Sequence, residues 1–377
     1  MRVTICLLLS LLATTTCSAS LEHDLERGLE AVAEATRSLL TITKKNNLQS
    51  LGAFHTFMSV HNKTYSDAEE YKKRYKIFHS NMELVARLQA EERGSGVYGA
   101  THLADLTPEE FRRNYLGYSR LGDDPDVHWP PADIPDIPLP DSHDWRDLGA
   151  VSPVKNQVII TTIAIINNYH KTSQGMCGSC WAFSTAGNVE GQNKVVNGEL
   201  ISLSEQELVD CDSRDAGCNG GLMENAYKTL LEIGGLESEK DYGYDGADEA
   251  CKFNRSKVAV RVSGGVEMPT NETQMAQWLL KNGPIAVGLN AFAMQFYFGG
   301  VSNPPSLLCS PSGIDHGVLI VGFGVHTTRW LKRVQPYWII KNSWGSSWGE
   351  NGYYRLYRGN GVCGINLAAS SATVVKN

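Results

Sequence analysis

Seven cysteines, Cys177, Cys180, Cys211, Cys218, Cys251, Cys309 and Cys363, all lie beyond residue 176 of this 377-residue chain. Two more, Cys6 and Cys17, fall in a segment that reads as a signal peptide. There Met1-Arg2 precedes an apolar run, Val3 to Leu12, and a tract of small residues ending at Ala19, after which cleavage is expected. An odd count in a secreted chain predicts three disulfides and one free thiol, without saying which cysteine is free. Asn62, Asn254 and Asn271 each open an Asn-x-Ser/Thr sequon and are expected to carry glycan. The leading apolar run is too short to span a membrane and no other segment qualifies, so no membrane span is expected.

Two of the cysteines define a motif, Gln174-Gly175-Met176-Cys177-Gly178-Ser179-Cys180-Trp181-Ala182-Phe183-Ser184. The sequence then reads as a helix to Asn197-Gly198, a good stop signal. Cys180 thus falls at a helix N-terminus, where the macrodipole favours thiolate over thiol. Half a zinc site is disfavoured, because no second pair has ligand spacing. A redox dithiol is disfavoured, because no thioredoxin-like strand–motif–helix surrounds it. An ordinary disulfide half suits Cys177. A nucleophilic Cys180 needs a histidine and an orienting group from elsewhere in the chain.

Charged residues make up 20% of the chain, hydrophobic ones 42%, and the net charge is -7. That is a globular balance that implies no nucleic-acid surface. Leu21, Leu25, Leu29, Val32, Thr36 and Leu39 step as an amphipathic helix. From Gly52 to Gln89 the pattern is again helical, with Glu70, Arg74, Phe78, Asn81, Val85 and Gln89 on one face and Glu70–Arg74 as an i,i+4 ion pair. Thr107-Pro108-x-Glu110 is a helix-start signal. Between Gly122 and Pro140, Asp and Pro dominate, which predicts a solvated linker and a domain boundary. Beyond it come helical patterns, then short β-rich runs at 285–289, 317–322, 337–340 and 353–356. Helices first and strands afterwards predict an α+β domain, a helical lobe packed on a β lobe with a cleft between them.

Ile314-Asp315-His316-Gly317 precedes one apolar strand, and Lys341-Asn342-Ser343-Trp344-Gly345 follows another. With the Cys180 motif, these resemble the papain family of cysteine peptidases, in the family's order, from about Gly52 to the C-terminus. The resemblance implies the papain-like two-lobe fold, an antiparallel β lobe included, preceded by a helical inhibitory prosegment. It implies peptide-bond hydrolysis by Cys180 as nucleophile, His316 as proton carrier and Asn342 as the group orienting the ring. Trp344 would shield that pair from water, and a glutamine six residues before Cys180 would hold the oxyanion. Gly220 and Gly221 match the strip that pairs with an extended substrate. Met223, Gly288, Ile314 and Ala368 match the second specificity pocket, uncharged here and therefore suited to a bulky apolar side chain. The family's disulfides would be Cys177–Cys218, Cys211–Cys251 and Cys309–Cys363, leaving Cys180 free.

The same resemblance divides the chain into residues 1–19, signal; 20–138, prosegment with an ERFNIN-type helix at about 60–92; and 139–377, peptidase. Gln89, Thr101 and the segments 187–192, 294–297 and 308–311 point to the family's cathepsin F branch, from which Val85 and Leu103 depart conservatively. Implied partners are polypeptide substrates, the chain's own prosegment and cystatin-type inhibitors. No cofactor or metal is implied, the molecule is expected to be a monomer, and its destination is lysosomal or extracellular. One feature breaks the pattern. Pro153-Val154-Lys155-Asn156-Gln157 is separated from Gly175 by Val158–Gln174, rich in Ile, Asn and Thr. Deleting that insert restores the motif, and its ends suit intron borders, so a retained intron is one reading and a long surface loop the other. The insert leaves Gln174 six residues before Cys180, the expected oxyanion residue, with Gln157 taking that place if the insert is absent. The alternative function is an impaired homologue that only binds; a transglutaminase-type acyl transferase is a further rival.

Overall fold

The computed structural model describes residues 50–119, 127–158, 177–327 and 334–377. The signal segment, the Leu21–Leu39 helical pattern, the start of the 122–140 segment and nearly all of the insert, Gln174 included, lie outside the described residues. The chain divides into two compact units, Met1–Tyr75 and Lys76–Asn377.

In the first unit, helix α1 (residues 50–60) presents Phe54 to an aromatic cluster. Its ring stacks on Phe57 and Tyr65 at 6.0 and 5.9 Å and meets Tyr71 and Tyr75 edge-on. The expected single helix through 52–89 is interrupted at 61–67. Asn62 turns into the left-handed region, φ 49°. Asp67 then caps α2 (Ala68–Glu91), its Oδ1 accepting from the Glu69 and Glu70 N–H groups at 2.9 Å each. Glu70 and Arg74 form their ion pair at 2.6 Å.

In the second unit, Phe78, Asn81 and Val85 are buried on one face of α2. The Asn81 amide donates to Ala104 O and Leu106 O at 2.8 and 3.0 Å. Gln89 receives Tyr98 N–H and donates to Gly96 O. Strand β1 (Val97–Tyr98) follows, then α3 (Pro108–Tyr115), opened by a full capping box between Thr107 and Glu110. After β2 (His143–Asp144) come three helices: α4 (Cys180–Asn197), stopped by Gly198 at φ 78°, α5 (Glu205–Cys211) and α6 (Met223–Ile233). Ser204 and Glu207 have the spacing of a capping box at α5, but the box is half-formed. Ser204 caps Glu207 N, but the Glu207 carboxylate turns to Glu237 N instead, 2.7 Å away.

A small pair, β3 (Leu236–Glu237) and β4 (Val258–Val260), leads to the remaining elements: β5 (Val262–Glu267), α7 (Glu272–Asn282), β6 (Ile285–Leu289), β7 (Tyr297–Gly299), β8 (Val301–Ser302), β9 (His316–Thr327), β10 (Val334–Lys341), β11 (Tyr353–Tyr357) and β12 (Ala369–Val374). The main sheet runs β5-β12-β6-β9-β10-β11-β8, with β2 paired to β9. All pairings in it are antiparallel except β11–β8. One core gathers Trp181, Leu208, Met223 and Tyr227 among the helices, and another gathers Phe296, Phe323, Trp338 and Trp348 under the sheet. The chain is therefore α+β, with helical and β regions.

The segment expected to be a solvated linker is docked. Ala132 N donates to Glu267 O and Glu267 N to Pro130 O, and the Trp129 indole donates to Glu224 O. Its ring covers Gly265, where a side chain would be crowded against it. Strand β5 would otherwise be an open sheet edge, and an extended proline-rich segment covers it. This packing puts residues 76–138 in the same unit as everything after them.

Candidate active site

Cys180 is the first residue of α4 and fully buried. Among the described residues, three disulfides, Cys177–Cys218, Cys211–Cys251 and Cys309–Cys363, leave it the free thiol. The Gly317 N–H donates to its sulfur at 3.3 Å. Gly317 follows His316, the first residue of β9, and Asn342 follows the last residue of β10. Those two strands pair directly, Lys341 opposite Leu319, so the sheet brings residues 26 apart side by side. His316 Nε2 donates to Asn342 Oδ1 at 2.8 Å, which fixes the tautomer and leaves Nδ1 as the unprotonated ring nitrogen. Nδ1 and Asn342 Nδ2 are both buried without a hydrogen-bond partner. The Trp344 indole covers the imidazole, ring centroids 4.8 Å apart.

Gln157 reaches the same place from an extended segment laid against 343–345. Its N–H donates to Ser343 O at 2.9 Å, and Gly345 N donates to Lys155 O. Its amide is fully committed. Nε2 donates to Cys177 O at 3.0 Å and Tyr115 O at 3.3 Å, and Oε1 receives the Ser343 hydroxyl at 2.6 Å. Gln157 immediately precedes the insert and Cys177 stands three residues beyond its end in sequence, and one side-chain hydrogen bond joins these two residues. The oxyanion expectation centred on Gln174 falls outside the described residues; the glutamine held beside Cys177 is Gln157. Sequence reading passed over Ser343, whose hydroxyl orients that amide.

Residues 115–119 cross this region. Gly221 N donates to Gly117 O at 2.9 Å, Ser119 N to Gly221 O at 3.3 Å and Tyr118 N to Asp315 O at 3.1 Å. The bridge between Tyr118 and Gly221 is parallel. A side chain at Gly117 would strike Gly178 O, and one at Gly220 would crowd Gly117 O, so both positions require glycine. The Tyr118 ring packs where Gly288 would carry a side chain, and it shares one apolar cluster with Met223, Ile314 and Ala368. Gly220, Gly221 and Gly288 therefore border this one segment, and Met223, Ile314 and Ala368 belong to the apolar cluster that holds its Tyr118 ring. Gly117 and Tyr118 left no pattern to find, because a single Gly-Tyr after a helix is ordinary loop sequence.

Electrostatics here run against the expectation of a thiolate. Burial pushes the Cys180 thiol up to about 12, assisted by the Asp315 charge and only partly countered by the backbone N–H groups of Gly317, Gly117 and Trp181. Burial likewise pulls His316 down to about 4, with the Asn342 bond opposing. Beneath residues 115–119 the pair is thiol and neutral imidazole, because desolvation outweighs the helix end. Burial raises Asp315 to about 6. Asn62, Asn254 and Asn271 are exposed. Among the described residues, no helix is long and apolar enough to cross a membrane.

The model of papain family cysteine proteases matches residues 165–373, and that of the cathepsin propeptide inhibitor domain matches residues 54–111. Cathepsin F of Mus musculus is 47% identical over 85% of this chain, and cathepsin F of Drosophila melanogaster 45% identical over 85%. The chain spans 64% and 50% of those two proteins' lengths. Cysteine proteinase 15A of Pisum sativum is 44% identical, with 86% of each chain covered. The digestive procathepsin L2 proteinase of Tenebrio molitor larval midgut superposes with a TM-score of 0.72 at 34% identity, covering 86% of this chain and 99% of that one. The recombinant stem bromelain precursor gives 0.71 at 31%, with the same coverage.

Proposed function

The chain belongs to the papain family of cysteine proteases, and on that premise we propose that it is a cysteine endopeptidase made as a zymogen, with Cys180, His316 and Asn342 as its catalytic residues. The observation that carries this is a free thiol at a helix N-terminus beside a histidine whose other nitrogen is committed to an asparagine at 2.8 Å. His316 Nδ1 takes the Cys180 proton, and the thiolate attacks the substrate carbonyl carbon. The C–N bond breaks, the imidazolium proton goes to the leaving amine, and a thioester remains. Water, deprotonated by His316, attacks the thioester, and the acid product leaves as the thiol reforms. Asn342 holds the ring and Trp344 keeps water from their bond.

The oxyanion would be held by the Cys180 N–H, which as a helix-start group has no intrahelical partner, and by Gln157 Nε2. This assignment is supported by the Tyr115 carbonyl, which already accepts from that amide. It speaks against an impaired homologue, since the insert leaves Gln157 clamped by Ser343. Gly220 and Gly221 would pair with substrate backbone. Met223, Gly288, Ile314 and Ala368 would take a bulky apolar side chain, a reading supported by the Tyr118 ring, which lies against Gly288 and shares an apolar cluster with the other three.

Residues 1–19 would be removed as a signal, and 20–138 would serve as the prosegment, leaving a mature enzyme that begins near Leu139. Lysosomal or extracellular residence, glycan at Asn62, Asn254 and Asn271, a monomeric state and inhibition by cystatin-type proteins belong to the same reading. The test is hydrolysis of a Leu-Arg or Phe-Arg fluorogenic peptide after acid activation, with an epoxide inhibitor of cysteine peptidases added in parallel. Turnover that the epoxide abolishes is the expected result. No turnover, or turnover indifferent to the epoxide, overturns the reading.

A further inference from the structure

Two carboxyl groups outside this machinery stand behind its substrate strip. Asp212 caps the C-terminus of α5, and Asp215 lies in the turn that follows. Asp212 Oδ1 accepts from the Thr229 hydroxyl at 2.7 Å and Arg214 N–H at 2.9 Å. Asp215 Oδ1 accepts from Leu222 N–H at 3.1 Å and Asn225 Nδ2 at 3.0 Å. The second oxygen of each, Oδ2, is buried and receives no protein donor. The two side chains lie within hydrogen-bonding reach of each other. Asp212 is buried and Asp215 half-buried, and two neighbouring carboxylates that each carry a buried, donor-less oxygen cannot both ionise cheaply; one retained proton satisfies both.

Asp215 is also the backing of Gly221. A side chain added to Gly221 would come 2.6 Å from Asp215 Cγ and 2.7 Å from Trp181 Cδ2. The peptide groups of Gly221 meanwhile hold Gly117 O and Ser119 N. Asp215 thus holds Leu222 N on the inner side of a strip whose outer side makes backbone bonds.

We propose that Asp212 and Asp215 share a single proton, and that the shared-proton pair is a positioning device that keeps Gly220–Leu222 in register for an extended backbone and releases it as the proton leaves toward alkaline pH. The positioning of substrate rests on the peptidase reading above; the shared proton does not. Burial, then the Asp212 charge, raises Asp215 to about 8, and burial raises Asp212 as well. Among the described residues, the ion pairs of the nearby basic groups go to another carboxylate. Arg214 sends its guanidinium to Glu232 at 2.9 Å, and Lys228 on α6 stands 3.6 Å from the same carboxylate. Glu224 on α6 and Asp248, which accepts Cys218 N–H, add negative charge. With the folded value above the unfolded one, the folded state holds a proton the unfolded state has lost. The pair's contribution is therefore greatest in acid and disappears as pH rises to about 8.

The test compares the full chain with Asp215→Asn, which keeps an acceptor for Leu222 N and gives Asp212 a permanent donor; Asp212→Asn is the second variant should the first fail to fold. Amide hydrogen exchange over residues 219–222 is followed at about pH 6 and about pH 8.5, corrected for the intrinsic rate. The parent is expected to lose about tenfold more protection than the variant between the two values. Equal loss in both overturns the shared proton. In the acid-activated enzyme, the ratio of KM at the two pH values should be larger in the parent than in Asp215→Asn, while the kcat ratios agree. Equal KM ratios alongside unequal exchange would reduce the pair to a stability element and overturn the positioning role. Absence of turnover would sink the peptidase reading and leave the exchange result to decide the proton.

Discussion

Tyr118→Ala in the full chain tests what keeps Cys180 covered. Tyr118 is 8% exposed, lies against Gly288 and belongs to the apolar cluster that also holds Met223, Ile314 and Ala368. A buried aromatic side chain removes about 150–250 Å² from water, which at about 25 cal/mol per Å² gives about 4–6 kcal/mol. The uncovered segment would still bury part of that ring, and alanine keeps the Cβ, so about 3 kcal/mol is a fair working value. At about 1.4 kcal/mol per decade, the open population should rise roughly a hundredfold. Cys180 is the free thiol among the described residues, so its alkylation, followed on its own peptide at fixed pH and low reagent concentration, reads that population. Tyr118→Phe should label within about threefold of the parent, because the ring remains. If Tyr118→Ala also labels within about threefold, pocket filling is not what holds residues 115–119, and the backbone bonds to Gly221 and Asp315 must carry the closure.

Cys180→Ala should remove peptidase activity with folding intact, and residual activity above about 1% of the parent would sink the nucleophile assignment. Gln157→Ala should lower kcat by about a hundred- to a thousandfold; a larger loss from Gln174→Ala, measured alongside, would move the oxyanion role there. His316 is depressed to about 4 in the covered form, so that form binds fewer protons than an open one. Its stability should be full above about 6.5 and should decline as pH falls through 4. Hydrogen exchange of residues 115–119 in Cys180→Ala should therefore accelerate across that window beyond the intrinsic change, and an unchanged acceleration in Cys180→Ala/His316→Gln would exclude the imidazole as its cause. Peptide mass spectrometry of the native protein settles the insert: a tryptic peptide joining Asn156-Gln157 directly to Gly175 supports an intron, and abundant peptides across 158–171 with no spliced counterpart refute it.

The capping signals were legible because each is a local contract. Thr107-Pro108-x-Glu110 and Asn197-Gly198 place their helix ends where periodicity and backbone freedom require. The runs at 285–289 and 317–322 announced β6 and β9 through unbroken apolar sequence. Strands β5 and β12, reading Val-Ser-Gly-Gly-Val-Glu and Ala-Ser-Ser-Ala-Thr-Val, carry no such pattern; they are strands because each is the other's partner. Likewise Glu207 satisfied the capping spacing, yet Glu237 N, 30 residues on, took its carboxylate.

Sequence alone determined the types of group available: a thiol at a helix start, a histidine and an asparagine beside apolar strands, and three motifs in one order. Chain chemistry at that level is set by spacing and composition. Tertiary structure alone decided which glutamine stands beside Cys177, that the proline-rich segment covers a sheet edge, that Tyr118 is buried against Gly288 and that Asp212 neighbours Asp215. It also reversed the protonation expected of Cys180, raising the thiol to about 12. The helix end that favours thiolate is a local property, written within a few residues. The burial that opposes it comes from residues 115–119, about sixty positions upstream, and solvent exclusion is a property of everything packed around an atom.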